Sequence, residues 1–233
     1  MIPPQSDDTN RSLNGAATYG NRWLDLEKTF ETNLYNGESD PGDVLFVAGT
    51  RRPRLLLAAV HSVNHTRDGE TKFADRGTGG LVLLLAEIVG CSALIIRGRD
   101  PGDANWDVNH STREVILSHF ELPGTIIDFH GMKHRGIDLE FGTGHTTDYP
   151  HALLDELKSS GHQYVVAVDE VFNGARPGTL TNWAQQTGYK ACQLEISSRL
   201  RPPTGSTDVL SDLVEFLASA LIRVTTESEG PNP

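Results

Sequence analysis

Apolar and polar residues alternate in blocks along the chain, and the block lengths separate strands from helices. Short runs rich in Val, Ile and Leu predict strands at Asp43–Ala48, Arg54–Val60, Ser92–Arg97, Thr125–Phe129, Gln163–Val168 and Lys190–Ile196, with a shorter one at Ile137–Phe141. Longer amphipathic stretches predict helices at Thr78–Val89, Ser111–Glu121, Ala152–Ser160, Leu180–Thr187 and Thr207–Val224. The last is the most regular. Its Leu210, Leu213, Val214, Phe216, Leu217, Leu221 and Ile222 form one apolar stripe, and Ser206 or Thr207-Asp208 can cap its start.

Strands alternating with helices imply an α/β fold whose mainly parallel sheet is covered on both faces, which suits strands that are apolar on both sides. There is no repeat and no internal linker. Residues 16–224 are therefore expected to form a single domain, with the polar, Pro/Asn-rich residues 1–15 and the tail 225–233 loose.

Three of the apolar runs carry a reactive side chain at or near their ends. Leu55–Val60 leads into His61, Thr125–Phe129 into His130, and Ala191–Ser197 contains Glu195. In an open α/β sheet, ligands bind at the carboxyl edge of the strands. Two imidazoles and a carboxylate delivered there from three strands are the parts of a metal-assisted hydrolase, with zinc favoured by nitrogen and carboxylate donors. Each residue alone has a plainer reading: a hydrogen-bonded histidine at a loop or core edge, or a buried ion pair of Glu195 with Arg199 or Arg201. Strand alternation puts Asp128 on the same side as His130, where it can orient a ligating imidazole, and Gly131 lets the backbone approach closely.

The third metal ligand is open between Asp75, Glu70 and His65. Asp75 is preferred because it immediately precedes the helix expected at Thr78, although a carboxylate there can also simply face the helix dipole. Glu195 suits a general base that takes a proton from water and passes it to a leaving nitrogen. The loop after Ser92–Arg97 carries Arg97, Arg99 and the segment Asp103-Ala-Asn105-Trp106-Asp107. A guanidinium such as Arg99 could clamp a substrate carboxylate there, with Asn105 adding a hydrogen bond. Arg176, in the loop Phe172–Thr179, is a second anion-binding candidate, and both loops also read as ordinary surface turns.

Other chemistries find no support. Gly77-Thr-Gly79-Gly80 lacks the dinucleotide fingerprint and the phosphate-loop lysine, no GxSxG elbow is present, and His61 with His65 is not an HExxH helix. A balance of 20 Lys and Arg against 31 Asp and Glu, net −11, argues against nucleic acid as the main partner. No run is long and apolar enough to span a membrane, and the first residues lack the pattern of a signal peptide, so a cytoplasmic enzyme is expected. The two cysteines, Cys91 and Cys192, fall in predicted strands and read as small core residues.

The order of these motifs resembles the N-formylglutamate amidohydrolase family, which is similar in fold to zinc carboxypeptidases. The resemblance is carried by Ala59-Val60-His61, Asp128-Phe-His130-Gly-Met132, the loop Asn173–Thr181 and Gln193-Leu-Glu195-Ile196, with Asp103-Ala-Asn105 resembling the family's Asp-Leu-Asn. It implies a three-layer α/β/α sandwich with a mixed, mainly parallel sheet. It also implies one zinc ion held by His61 and His130, Glu195 as base, Asn105 as a substrate contact, and hydrolysis of a small anionic N-acyl amino acid such as N-formylglutamate. The sequence departs from the family at Trp106, where Arg is common, and at Asn64, where carboxypeptidases place an acidic ligand. A carboxypeptidase-like peptidase and a non-catalytic small-ligand-binding homologue are the competing readings.

Overall fold

The structure is a computed structural model that describes residues 10–159 and 163–228. Its strands are β1 (Val44–Val47), β2 (Arg52–Ala59), β3 (His65–Arg67), β4 (Glu70–Lys72), β5 (Cys91–Ile96), β6 (Thr125–Met132), β7 (Leu139–Gly142), β8 (Val166–Val168) and β9 (Lys190–Ser197). The helices are α1 (Asn10–Tyr35), α2 (Thr78–Val89), α3 (Thr112–His119), α4 (His151–Ser159), α5 (Leu180–Thr187) and α6 (Thr207–Ser228).

Seven strands form one sheet in the order β1-β5-β2-β6-β9-β7-β8. The central strands β5, β2, β6 and β9 are parallel, whereas β1 joins β5 and β7 joins β9 antiparallel. Helices α1, α2 and α6 pack on one another, α4 packs on α6, and α5 lies against β6 and β9. The sheet is mixed and mainly parallel, as the alternation of elements predicts. Its central strands are apolar on both sides because both faces are covered: Leu55–Ala59 of β2 and all six residues of β5 are buried. Both cysteines are free and buried.

Connectivity fixes where a site can form. From β2 the chain crosses through α2 to β5 on one side, and later enters β6 on the other side of β2. The carboxyl ends of β2 and β6 therefore flank a topological switch point, where an open crevice forms. His61 follows β2 and His130 lies near the end of β6.

The sequence pattern predicts no helix before Thr78 and expects residues 10–15 to be loose, whereas α1 spans Asn10–Tyr35. The helix ends in three successive left-handed residues, Asn33, Leu34 and Tyr35. It packs closely on α2, and a Cβ on Gly79 would meet the Phe30 ring at 2.7 Å. One on Gly80 would lie 2.8 Å from the Glu27 nitrogen. The Gly-rich start of α2 is thus a seat for another helix. The C-terminal end predicted for the fourth helix, Ser160, lies outside the described residues, as do residues 1–9 and 229–233.

Candidate metal centre

His61 leaves β2 at the switch point and is 6% exposed; His130, 3% exposed, lies opposite Glu195 in the β6–β9 register. Asp75 enters from the loop before α2. Its Oδ2 lies 3.3 Å from His61 Nδ1 and 3.1 Å from His130 Nδ1. The three candidate donors face one another, all within 4.8 Å. A tetrahedral zinc with donors at roughly 2.0–2.1 Å separates its ligand atoms by about 3.3 Å, close to the two spacings from Asp75.

The far side of each imidazole is equally ordered. His61 Nε2 meets Asp103 Oδ1 at 2.8 Å, and His130 Nε2 meets Asp128 Oδ2 at 2.8 Å. Both carboxylates are fully buried. With Nε2–H donating to a carboxylate, each ring turns Nδ1 toward Asp75, where it would be free to ligate a cation and, without one, donates to the Asp75 carboxylate. Asp128 was anticipated in this role. Asp103 was not, although its segment drew notice; it lies 42 residues from its partner, and only the fold shows them side by side.

Two buried imidazoles among Asp75, Asp103 and Asp128 make a site that demands positive charge. Burial opposes the charged form of His61, but hydrogen bonds to Asp103 and Asp75 outweigh it and push its pKa up to about 9. His130 is raised well above the usual histidine range against the same burial, through Asp128 and Asp75. Asp75 is held well below the usual carboxylate range: burial opposes ionisation, and hydrogen bonds to His130 and His61 prevail. A bound divalent cation would supply the same positive charge that protons supply in its absence.

The competitors for the third ligand position lie elsewhere. His65 stacks on the face of the His61 ring with centroids 4.0 Å apart and lies 3.4 Å from Asp103 Oδ2. Burial, with the neighbouring His61, lowers its pKa to about 4. Together His61, His65 and Asp103 form a second tight cluster, but it shares His61, whose Nε2 already serves Asp103. Glu70 is exposed and pairs with Lys72 on the β3–β4 hairpin. Asn64, which stands where carboxypeptidases have an acidic ligand, instead accepts from the Ala74 N–H at 3.0 Å and donates to the Leu34 carbonyl at 2.8 Å. It thereby holds the loop that carries Asp75.

Glu195 is 6% exposed and has no ion-pair partner among the described residues. Arg199 makes a two-point contact with Asp138, at 2.5 and 2.7 Å, and Arg201 is spent on carbonyl oxygens. The hydrogen bond that Glu195 accepts comes from Gln193 Nε2 at 3.1 Å. Burial pushes its pKa up to about 7, with the positive His130 pulling the other way. A carboxylate held near neutrality beside the donors suits proton transfer.

The substrate candidates separate in space. Asn105 is buried against the centre, with Nδ2 2.7 Å from His130 Nε2 and Oδ1 accepting from the Leu180 N–H at 2.6 Å. Arg99 is exposed and donates to Thr71 on the hairpin. Arg176 is exposed and lies over the Trp106 ring, 3.1 Å from its centroid, while Arg67 approaches the same ring at 4.7 Å. Arg97 pairs with Asp43. None of these arginines lines the open cleft of about 190 Å³ beside Asp75, whose wall includes Arg76, Gly131, Met132, Lys133 and Arg201. Arg76 and Lys133 are exposed there, without ion-pair partners among the described residues, and neither stands out in the sequence.

No family model matches the sequence, and no curated protein matches it. Solved structures do. A bacteriophage poly-γ-glutamate hydrolase is 18% identical, with a TM-score of 0.52 over 84% of this chain and 94% of that one. A metallo-carboxypeptidase from Burkholderia cenocepacia is 11% identical, with a TM-score of 0.51 over 82% of this chain and 62% of that one. The chain has the carboxypeptidase-like α/β fold. An N-formylglutamate amidohydrolase from Ralstonia eutropha superposes at a TM-score of 0.49, with 13% identity over 80% of this chain and 98% of that one. Among the described residues, no helix is long and apolar enough to cross a membrane.

Proposed function

We propose that this protein is a zinc-dependent hydrolase of an amide bond in a small anionic compound, an N-acyl amino acid such as N-formylglutamate or a γ-glutamyl amide. The observation that carries the reading is the convergence of His61 Nδ1, His130 Nδ1 and Asp75 Oδ2, with a buried carboxylate behind each imidazole. Those three residues would hold the ion. Bound there, zinc would polarise the amide carbonyl and acidify a water.

The chain's own residues do the rest. Glu195, opposite His130 and without a salt-bridge partner, takes a proton from the attacking water and returns it to the leaving nitrogen. Asp103 and Asp128 keep both rings in the tautomer that leaves Nδ1 free. Asn105, held by the Leu180 N–H, packs beside the His130 ring. Arg76 and Lys133, at the wall of the adjoining cavity, attract the substrate's carboxylate, a use the negative chain as a whole would otherwise disfavour. The proteins that share this fold include, by name, a poly-γ-glutamate hydrolase and a metallo-carboxypeptidase, which is consistent with this reading.

The test is metal analysis of the purified protein together with Glu195→Gln, assayed on N-formylglutamate, other N-acyl amino acids and γ-glutamyl peptides. The expected variant keeps its zinc and loses turnover by roughly 10²–10⁴-fold. Unchanged turnover would remove Glu195 from the mechanism, and a protein unable to bind zinc would remove the reading.

A further inference from the structure

Arg201 lies past the end of β9, after the 3₁₀ turn Ser198–Leu200, and is 6% exposed. A buried guanidinium is costly unless its N–H groups are satisfied. Here they are satisfied by main-chain carbonyls drawn from three separate segments. Nε donates to the Ile196 carbonyl at 3.0 Å, one Nη to the Arg76 carbonyl, and the other Nη to the Met132 carbonyl at 3.4 Å.

The identity of those carbonyls matters more than their number. Arg76 follows Asp75, Ile196 follows Glu195, and Met132 is two residues beyond His130. The segments bearing two of the three candidate ligands and the candidate base are thus gripped by one side chain. Between His130 and Met132 sits Gly131, where a Cβ would overlap the Arg201 guanidinium, so the strand can lie flat on the arginine only as glycine. The Arg201 backbone is itself anchored, since its carbonyl accepts from Thr204 and Gly205 at 3.0 and 2.9 Å. No carboxylate hydrogen-bonds the guanidinium, but Asp75, Glu195 and Glu27 all lie within its field.

We infer that Arg201 is a positioning residue, a clip that sets the spacing of Asp75, His130 and Glu195 by holding the backbone beside each. The inference rests on the metal centre proposed above. A lysine cannot replace the clip, because one ammonium on a flexible stem lacks the planar fork that reaches three acceptors at once.

The experiment measures Zn²⁺ affinity by competition with a chromophoric chelator, with the melting of the metal-free proteins recorded alongside. It compares wild type, Arg201→Lys, Arg201→Ala with and without millimolar guanidinium ion, and Gly131→Ala, which leaves Arg201 in the chain but displaces its head. Folded variants are expected to bind zinc more weakly by on the order of 10–100-fold, the effect typical of residues that orient ligands from behind. Guanidinium ion is expected to restore affinity to Arg201→Ala and not to Gly131→Ala. Folded variants that bind zinc within about twofold of wild type would overturn the role, as would failure of all the variants to fold, which would make Arg201 a requirement of the fold rather than of the site. Failure of the wild-type protein to bind zinc would instead sink the metal centre, and the clip with it.

Discussion

Asp75 is held to His61 by both its main chain and its side chain: its N–H donates to the His61 carbonyl at 2.8 Å, and its Oδ2 lies 3.3 Å from His61 Nδ1. The main-chain bond makes the carboxylate's position a property of the loop fold, whatever occupies the site. Asn64 reinforces this by accepting from Ala74, the residue before Asp75. The candidate carboxylate donor is therefore delivered from a position well downstream of Asn64, which carries an amide that braces the loop.

Replacing Asp75 by Ala removes one donor and leaves the loop's main-chain bonds intact. The expected product is a folded protein that no longer retains zinc through dialysis. Zinc added to wild type at about 100 times its Kd should stabilise the fold by roughly 2.7 kcal/mol. At roughly 2–4 °C per kcal/mol, that is a rise of about 5–10 °C in Tm. Calorimetry with and without zinc checks both, and an equal rise in Asp75→Ala would place the ion elsewhere.

Glu27 of α1 reaches the start of α2, accepting from the Gly77 and Gly80 N–H groups at 2.6 and 2.9 Å. Burial dominates its titration and pushes the pKa from 4.5 up to about 7, against those two bonds. The folded state thus binds this proton more tightly than the unfolded state. Its contribution to stability is complete below about pH 4.5 and is lost as pH rises through about 7. At roughly 1.4 kcal/mol per pKa unit, the loss is about 3 kcal/mol. Glu195 and His61, whose pKa values are also raised, add to the fall in the same direction, so urea melts at pH 5 and pH 8 should differ by about 2–3 kcal/mol less in Glu27→Gln than in wild type. The same difference in both proteins would assign it to another group.

The α1–α2 seat predicts a second stability effect. Alanine at an ordinary helical glycine gains up to about 1 kcal/mol. At Gly80 the new Cβ would lie 2.8 Å from the Glu27 nitrogen and 3.0 Å from the Trp23 carbonyl, both main-chain atoms. Overpacking of that kind costs about 1–3 kcal/mol, so the net sign is destabilising. Gly80→Ala should melt several degrees lower, and a higher Tm would show that the helices are not in such close contact.

Arg76 and Lys133 offer a test of substrate charge. Hydrogen bonds to a charged group contribute about 1.5–3 kcal/mol, or roughly 10–100-fold in binding. Arg76→Gln and Lys133→Gln should each raise KM for a carboxylate-bearing substrate by up to that factor, with kcat little altered. A neutral amide analogue should be unaffected. Equal losses on the two substrates would show that the cavity does not read charge.

The strand-end positions of His61, His130 and Glu195, the alternation of elements and the fold class all follow from local patterns, because period-two burial and Gly-bounded apolar runs are written in contiguous residues. Helix α1 was legible only faintly. Trp23 and Phe30 have helical spacing, but the buried Glu27 between them interrupts the apolar face, and its reason for being there is another helix. The pairing of Asp103 with His61, the meeting of Asp75 with His61 and His130, and the grip of Arg201 on three carbonyls join residues far apart in the chain. Such contacts come into being only when the sheet order brings the ends of β2, β6 and β9 side by side. Charge behaves likewise: the chain is acidic as a whole, yet the fold gathers Arg76 and Lys133 beside Asp75, because a local field depends on distances in space rather than on composition.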